Sequence, residues 1–152
     1  MLMATFISHS PAETEAIGVE WGLAAARGMV IGLSGDLGAG KTQLVKGIAR
    51  GLGVEERVHS PTFALLNEYS GGRLSLFHID LYRLETRGQI AGAGLDAYLF
   101  NPPGIAVVEW IERWGTMKFS DSRHDGSAIF RSIKIEVINE NKRRITYEDF
   151  GH

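Results

Sequence analysis

The sequence predicts an α/β fold of three layers, with a mixed, mostly parallel sheet and antiparallel hairpin additions. Three observations carry this. Met29-Val30-Ile31-Gly32-Leu33-Ser34 and Ile105-Ala106-Val107-Val108 are short apolar runs without alternation, as expected of strands covered on both faces. A glycine-rich loop follows the first run directly, and a helix-spaced apolar pattern follows the loop. Residues 133–138 and 145–150 read as a final antiparallel pair joined through Asn139-Glu140-Asn141.

Taken in order, Ser10-Pro11-Ala12-Glu13 reads as a helix start. Ser10 can cap, Pro11 suits the first helical position, and Glu13 completes a capping box. The helix is expected to run to Arg27 and stop at Gly28, packing through Ala16, Ile17, Val19, Leu23 and Ala24. After the loop, Leu44, Val45, Ile48 and Leu52 recur at helical spacing and Gly53 closes the helix. Residues 63–69 and 74–80 are two strand candidates, and Ser70-Gly71-Gly72-Arg73 between them signals a hairpin. A helix is expected over 89–99, weakened by Gly92 and Gly94, before Asn101-Pro102-Pro103-Gly104 breaks the chain. The 152 residues suit one compact domain, 1–152.

Composition narrows the function classes. A hydrophobic fraction of 44% and a charged fraction of 22% are those of an ordinary soluble globular chain. A net charge of −2 does not announce nucleic acid or an anionic membrane as a direct partner. The absence of cysteine removes disulfides, thiolate zinc sites and cysteine nucleophiles, and fits a reducing compartment. Residues 1–6 show no basic segment followed by an apolar one, and no run approaches the ~20 apolar residues of a membrane helix. The expected location is the cytoplasm.

The chemistry concentrates in Gly35-Asp36-Leu37-Gly38-Ala39-Gly40-Lys41-Thr42, which matches Gly-x-x-x-x-Gly-Lys-[Ser/Thr]. Glycines let backbone N–H groups wrap a phosphate, and the next helix aims its positive end at it. Lys41 then faces the β- and γ-phosphates of ATP, and Thr42 offers a hydroxyl to Mg²⁺. Asp80 and Glu109 each end an apolar strand. Ligands of open α/β sheets sit at the carboxyl ends of strands, so either acid can hold Mg²⁺ or orient the attacking water. In Ser60-Pro61-Thr62-Phe63, Thr62 can present a hydroxyl to the same metal, although a turn opening a strand explains the motif equally well. His78 reads as a hydrogen-bonded structural histidine, and Trp110 is expected near the nucleotide because it follows Glu109.

These motifs, in order with His78-Ile79-Asp80-Leu81-Tyr82-Arg83, Gly94-Leu95-Asp96-Ala97-Tyr98 and Val108-Glu109-Trp110, resemble the TsaE (YjeE) family. The resemblance runs from about residue 11 to 110 and is fainter in the last strands. It implies a P-loop NTPase-like fold and a bacterial Mg²⁺-dependent ATPase needed to make threonylcarbamoyladenosine beside the tRNA anticodon. Partners implied are TsaD, which transfers the threonylcarbamoyl group, and TsaB; tRNA is met indirectly, through the complex. Carried over, Leu37, Gly38, Ala39, Gly40, Lys41 and Thr42 bind the triphosphate. Thr42 and Glu109 hold Mg²⁺, Asp80 is the Walker B acid, and Thr62 is a switch residue. Pro11 would lie near the base, with Arg143 or Arg144 reaching it. Residues 84–93 lack the acidic stretch often found there, and residues 111–127 do not match the pattern.

Hydrolysis is expected to be slow alone and partner-dependent, since no arginine finger stands out. A small-molecule or nucleotide kinase shares loop and fold but needs an acceptor pocket and an arginine-bearing lid, for which only residues 84–100 offer room. A GTP switch would need Asn-Lys-x-Asp, and Asn141-Lys142-Arg143-Arg144 lacks the aspartate. A scaffold that binds nucleotide without hydrolysing it is the third class.

Overall fold

The structure, a computed structural model, describes residues 2–36, 39–59, 61, 65–111 and 130–150. Among the described residues, seven strands and four helices follow in the order β1 (Leu2–Ser8), α1 (Pro11–Ala24), β2 (Val30–Ser34), α2 (Lys41–Leu52), β3 (Leu66–Tyr69), β4 (Leu76–Asp80), α3 (Arg87–Gly92), α4 (Asp96–Phe100), β5 (Ile105–Glu109), β6 (Phe130–Asn139) and β7 (Lys142–Phe150). All seven strands join one sheet in the order β1-β7-β6-β2-β5-β4-β3. Its centre, β6-β2-β5-β4, is parallel. The antiparallel additions lie at both ends, β7 and β1 on one side and β3 on the other.

The two central apolar runs alternate between two cores, which is why neither alternates in hydrophobicity. Ile31, Leu33, Ile105 and Val107 pack with α1 and α2, whereas Val30, Ala106 and Val108 pack with Ile90, Leu95 and Leu99 around α3 and α4. The expected three layers are therefore present. No helix among the described residues is long and apolar enough to cross a membrane.

Four local expectations are corrected. Residues before Ser10 carried no assigned element and form a strand. They do so because β1 pairs along its whole length with β7, from Leu2↔Asp149 to Ser8↔Arg143, a partner far away in sequence. The helix expected over 89–99 is two short ones, divided around Gly94 in the left-handed region at φ 77°. Helix α1 ends at Ala24 rather than near Gly28. There the Arg73 guanidinium, from the β3–β4 turn, donates to the carbonyls of Gly22 at 2.8 Å and Ala25 at 2.9 Å, supplying partners for the helix end.

The fourth correction concerns the buried face of α1. Of the apolar residues expected to pack, Ile17 does so half-buried, but Ala16, Leu23 and Ala24 are exposed, and the fully buried positions are Thr14, Gly18, Trp21 and Gly22. Gly18 and Gly22 lie against Gly47 and Gly51 of α2. A Cβ on Gly18 would sit 2.4 Å from the Leu44 carbonyl oxygen, and one on Gly22 would sit 2.3 Å from that of Ile48. In return, a Cβ on Gly47 would meet the Glu15 oxygen at 2.1 Å, and one on Gly51 the Val19 oxygen at 2.2 Å. The helices meet backbone to backbone, which glycine alone permits.

The start of α1 follows expectation in part. Ser10 accepts the Glu13 amide at 3.1 Å, but the Glu13 carboxylate takes the His9 amide at 2.9 Å instead of closing on Ser10. That backbone bond, followed by the bond to the His9 ring, holds the Glu13 carboxyl below its ordinary value of 4.5. A depressed folded value contributes stability above the unfolded one and loses it as pH falls through the folded one. Glu13→Gln should therefore lower the thermal midpoint at pH 7, and the difference from wild type should shrink as pH falls below the ordinary carboxylate value, as read by calorimetry.

The glycine seam makes a prediction of opposite sign to helix propensity. Alanine is intrinsically favoured over glycine by about 1 kcal/mol in a helix. Gly18→Ala and Gly47→Ala should nonetheless each destabilise by about 1–3 kcal/mol in denaturant unfolding, because overpacking dominates. Gly92→Ala in α3, where an added Cβ meets nothing within 4 Å, should be neutral or stabilising.

Candidate functional site

Strand β2 delivers the chain to the glycine-rich loop, and α2 leaves it. Gly35 stands at φ 143°, and a Cβ there would approach the Ile135 carbonyl oxygen of β6 to 2.5 Å. Gly40, at φ 107°, precedes α2 in the left-handed region and caps it with no side chain. The first amides of α2 are thus left without a side-chain acceptor at the positive end of the helix, the arrangement that favours an anion. Thr42 is the second residue of α2 and is half-buried. Leu37, Gly38 and Thr62 lie outside the described residues.

Lys41 is only 6% exposed. Its Nζ donates to the Gly35 carbonyl at 2.6 Å and stands 4.1 Å from the centre of the Trp110 ring. No carboxylate pairs with it among the described residues. A nearly buried cation held only by a carbonyl and a π face is incompletely compensated, so an arriving anion gains from it.

Asp80 and Glu109 are the last residues of neighbouring parallel strands and are direct register partners. They are 4% and 5% exposed. Side chains alternate along a strand, so Asp80 shares the face of Leu76, and Glu109 that of Ile105 and Val107, the face covered by α2. Each acid has a hydrogen-bond partner nearby. The Tyr82 amide donates to Asp80 Oδ1 at 2.9 Å, and His78 Nε2 lies 2.5 Å from Glu109 Oε2. Trp110 follows Glu109 at φ 60°, an uncommon conformation for a bulky residue, with its ring against Tyr82 at 5.0 Å between centres. Left-handed strain of this kind concentrates at functional sites.

A cleft of about 180 Å³ opens beside the loop. The start of α1 supplies Ser10, Pro11 and Thr14, the loop and α2 supply Ala39, Gly40 and Gln43, and the β6–β7 turn supplies Glu140, Asn141 and Arg143. Pro11, Ala39 and Gly40 are thereby brought together. Arg143 is tied in place, its Nε donating to the Ala39 carbonyl at 3.0 Å. Arg144 points to the opposite face of the strand, 3.9 Å from Glu136. Thr14, Gln43, Glu140 and Asn141 were not singled out in the sequence. The only local signal for Thr14 is its four-residue spacing from Ser10, and nothing local marks the other three.

Comparison with known proteins adds four findings. A family model described as "Threonylcarbamoyl adenosine biosynthesis protein TsaE" matches residues 8–145. The tRNA threonylcarbamoyladenosine biosynthesis protein TsaE of Nostoc sp. is 47% identical over 100 residues, 64% of this chain and 61% of that one. The protein of the same name from Bacillus subtilis is 46% identical over 101 residues, 66% of this chain and 62% of its own length. These matches span less than two thirds of either relative. The crystal structure of Bacillus subtilis YdiB superposes with a TM-score of 0.75 at 31% identity, over 99% of this chain and 87% of that one. The fold is accordingly P-loop NTPase-like.

The setting of Lys41 makes it a stability liability in the ligand-free protein. Lys41→Met keeps the stem and removes the nearly buried charge. Its thermal midpoint should be unchanged or raised by up to about 3 °C, the shift expected of roughly 1 kcal/mol at this size. A fall beyond that margin would mean the ammonium contributes net stability.

Proposed function

The chain belongs to the TsaE family, and from that premise we propose that it binds and hydrolyses ATP with Mg²⁺ as a component of tRNA threonylcarbamoyladenosine biosynthesis. The observation that carries this reading is a convergence at one edge of the sheet. The uncapped start of α2, the nearly buried Lys41 and the paired strand ends at Asp80 and Glu109 meet where a triphosphate needs donors, a cation and metal-facing acids.

In this reading the first amides of α2 and Lys41 bind the phosphates, with Lys41 leaving the Gly35 carbonyl for them. Thr42, Asp80 and Glu109 would hold Mg²⁺, which when bound offsets the charge developing on the phosphoryl oxygens. The residues present suit this metal. Among the described residues no three His, Asp or Glu side chains gather into a self-sufficient site. Mg²⁺ is commonly held by one or two carboxylates plus substrate phosphates, so it would arrive with the nucleotide. The cleft at Pro11 and Arg143 is smaller than the ~300 Å³ of an ordinary ligand pocket, and suits a base rather than a whole nucleotide. Thr62 is assigned the switch role.

TsaD and TsaB are the proposed partners, with tRNA reached through them, and the cytoplasm is the proposed location. Residues 1–152 are proposed to act as a single ATPase domain, slow on its own. The test is a threonylcarbamoylation reaction lacking only this component. Adding the protein should restore modified tRNA, and titrating TsaD with TsaB should raise its ATP turnover several-fold. An unchanged turnover across that titration would count against the assignment. Lys41→Ala should lose most ATP affinity by calorimetry. Glu109→Ala should cut hydrolysis by about 10²-fold, the usual effect of removing one transition-state-stabilising group, and affect ATP binding much less.

A further inference from the structure

His78 is fully buried, sits two residues before Asp80 on β4, and shares its sheet face. Its Nε2 lies 2.5 Å from Glu109 Oε2, across the β4–β5 ladder. Its other nitrogen, Nδ1, is buried without a hydrogen-bond partner. Read as a metal-facing carboxylate, Glu109 only accepts, so the donor in this bond is His78 Nε2–H.

We infer that His78 is the positioning residue for Glu109, an imidazole whose Nε2–H pins one carboxylate oxygen and leaves Oε1 as the acceptor offered to the metal or its water. Oε1 has no hydrogen-bond partner among the described residues, so the His78 bond alone fixes the rotation of this side chain. Asp80 does not need the same help, since the Tyr82 amide already holds it. A structural role alone does not account for an imidazole at this core position, where an apolar residue would leave no orphaned nitrogen. Outer partners that orient ligating carboxylates commonly change metal affinity or activity by about 10–100-fold when removed. The inference rests on the reading of Glu109 as an acid facing the nucleotide metal.

The test compares His78→Leu, which removes the donor, with His78→Gln, whose amide carries a donor to about the Nε2 position. A fluorescent ADP analogue is titrated with Mg²⁺ and, separately, in EDTA. His78→Leu should raise the Mg²⁺ concentration for half-maximal effect about tenfold, with affinity in EDTA unchanged. His78→Gln should recover most of the loss. In nucleotide-free wild type, ¹⁵N-histidine spectra should show His78 carrying a proton at Nε2. Equal damage in both variants, a wild-type Mg²⁺ requirement in His78→Leu, or an Nε2 without a proton would overturn the positioning role while leaving the proposed function intact. Nucleotide binding by wild type that ignores Mg²⁺ would overturn both.

Discussion

Two helices can approach until their backbones touch only where neither carries a Cβ at the crossing, and the α1–α2 contact is of that kind. Gly18 and Gly22 face Gly47 and Gly51 with no room for a methyl group on either side. The consequence reaches the working end of the molecule. Helix α2 carries Lys41 and Thr42, so whatever fixes α1 against it also fixes the first turn of α1, with Pro11 and Thr14, beside the loop. The same turn is stapled to β1, since Ser8 Oγ meets Thr14 Oγ1 at 2.7 Å and donates to the Ser10 carbonyl at 2.8 Å. Strand β1 in turn pairs with β7, where Ser8 stands opposite Arg143. The walls of the cleft are thus held by backbone contacts and sheet pairing, the rigid supports that a precise site requires.

The charged groups at the sheet edge are arranged on a different principle. Lys41, Asp80 and Glu109 are all nearly buried, and the described hydrogen bonds bring Lys41 to a carbonyl, Asp80 to the Tyr82 amide and Glu109 to the His78 imidazole. A Lys41–carboxylate pair would be more comfortable and less useful, because its charges would already be spent. With no carboxylate paired to Lys41 among the described residues, its field remains for an anion to meet. Natural proteins depart from local stability rules at such places, and the left-handed Trp110 beside Lys41 belongs with them.

Legibility followed the distance over which each feature is specified. The glycine loop was readable because positive φ and close backbone approach demand glycine wherever they occur. Strands β2 and β5 were readable because burial on both faces demands an unbroken apolar run. Asp80 and Glu109 were visible as acids ending such runs, and their side-by-side register follows once β4 and β5 lie parallel. The buried face of α1 was misread because a hydrophobic pattern marks where side chains bury themselves. This helix buries, beside Thr14 and Trp21, two places where side chains are missing, Gly18 and Gly22. The choice between Arg143 and Arg144 was not readable either, since adjacent strand residues face opposite ways and only the fold says which face borders the loop.

By itself, then, the sequence determined the loop, its flanking strand and helix, the two acid-tipped strands and the hairpin turns. Each is dictated by the local chemistry of a few consecutive residues. Only the tertiary structure decided that residues 2–8 form a strand, that α1 stops at Ala24, that Arg143 borders the cleft and that His78 holds Glu109. Those outcomes depend on partners 51 residues apart for Arg73 and Gly22, 104 for Arg143 and Ala39, and 31 for His78 and Glu109. No local propensity encodes such pairings. They exist because the sheet and the glycine seam bring those backbones together.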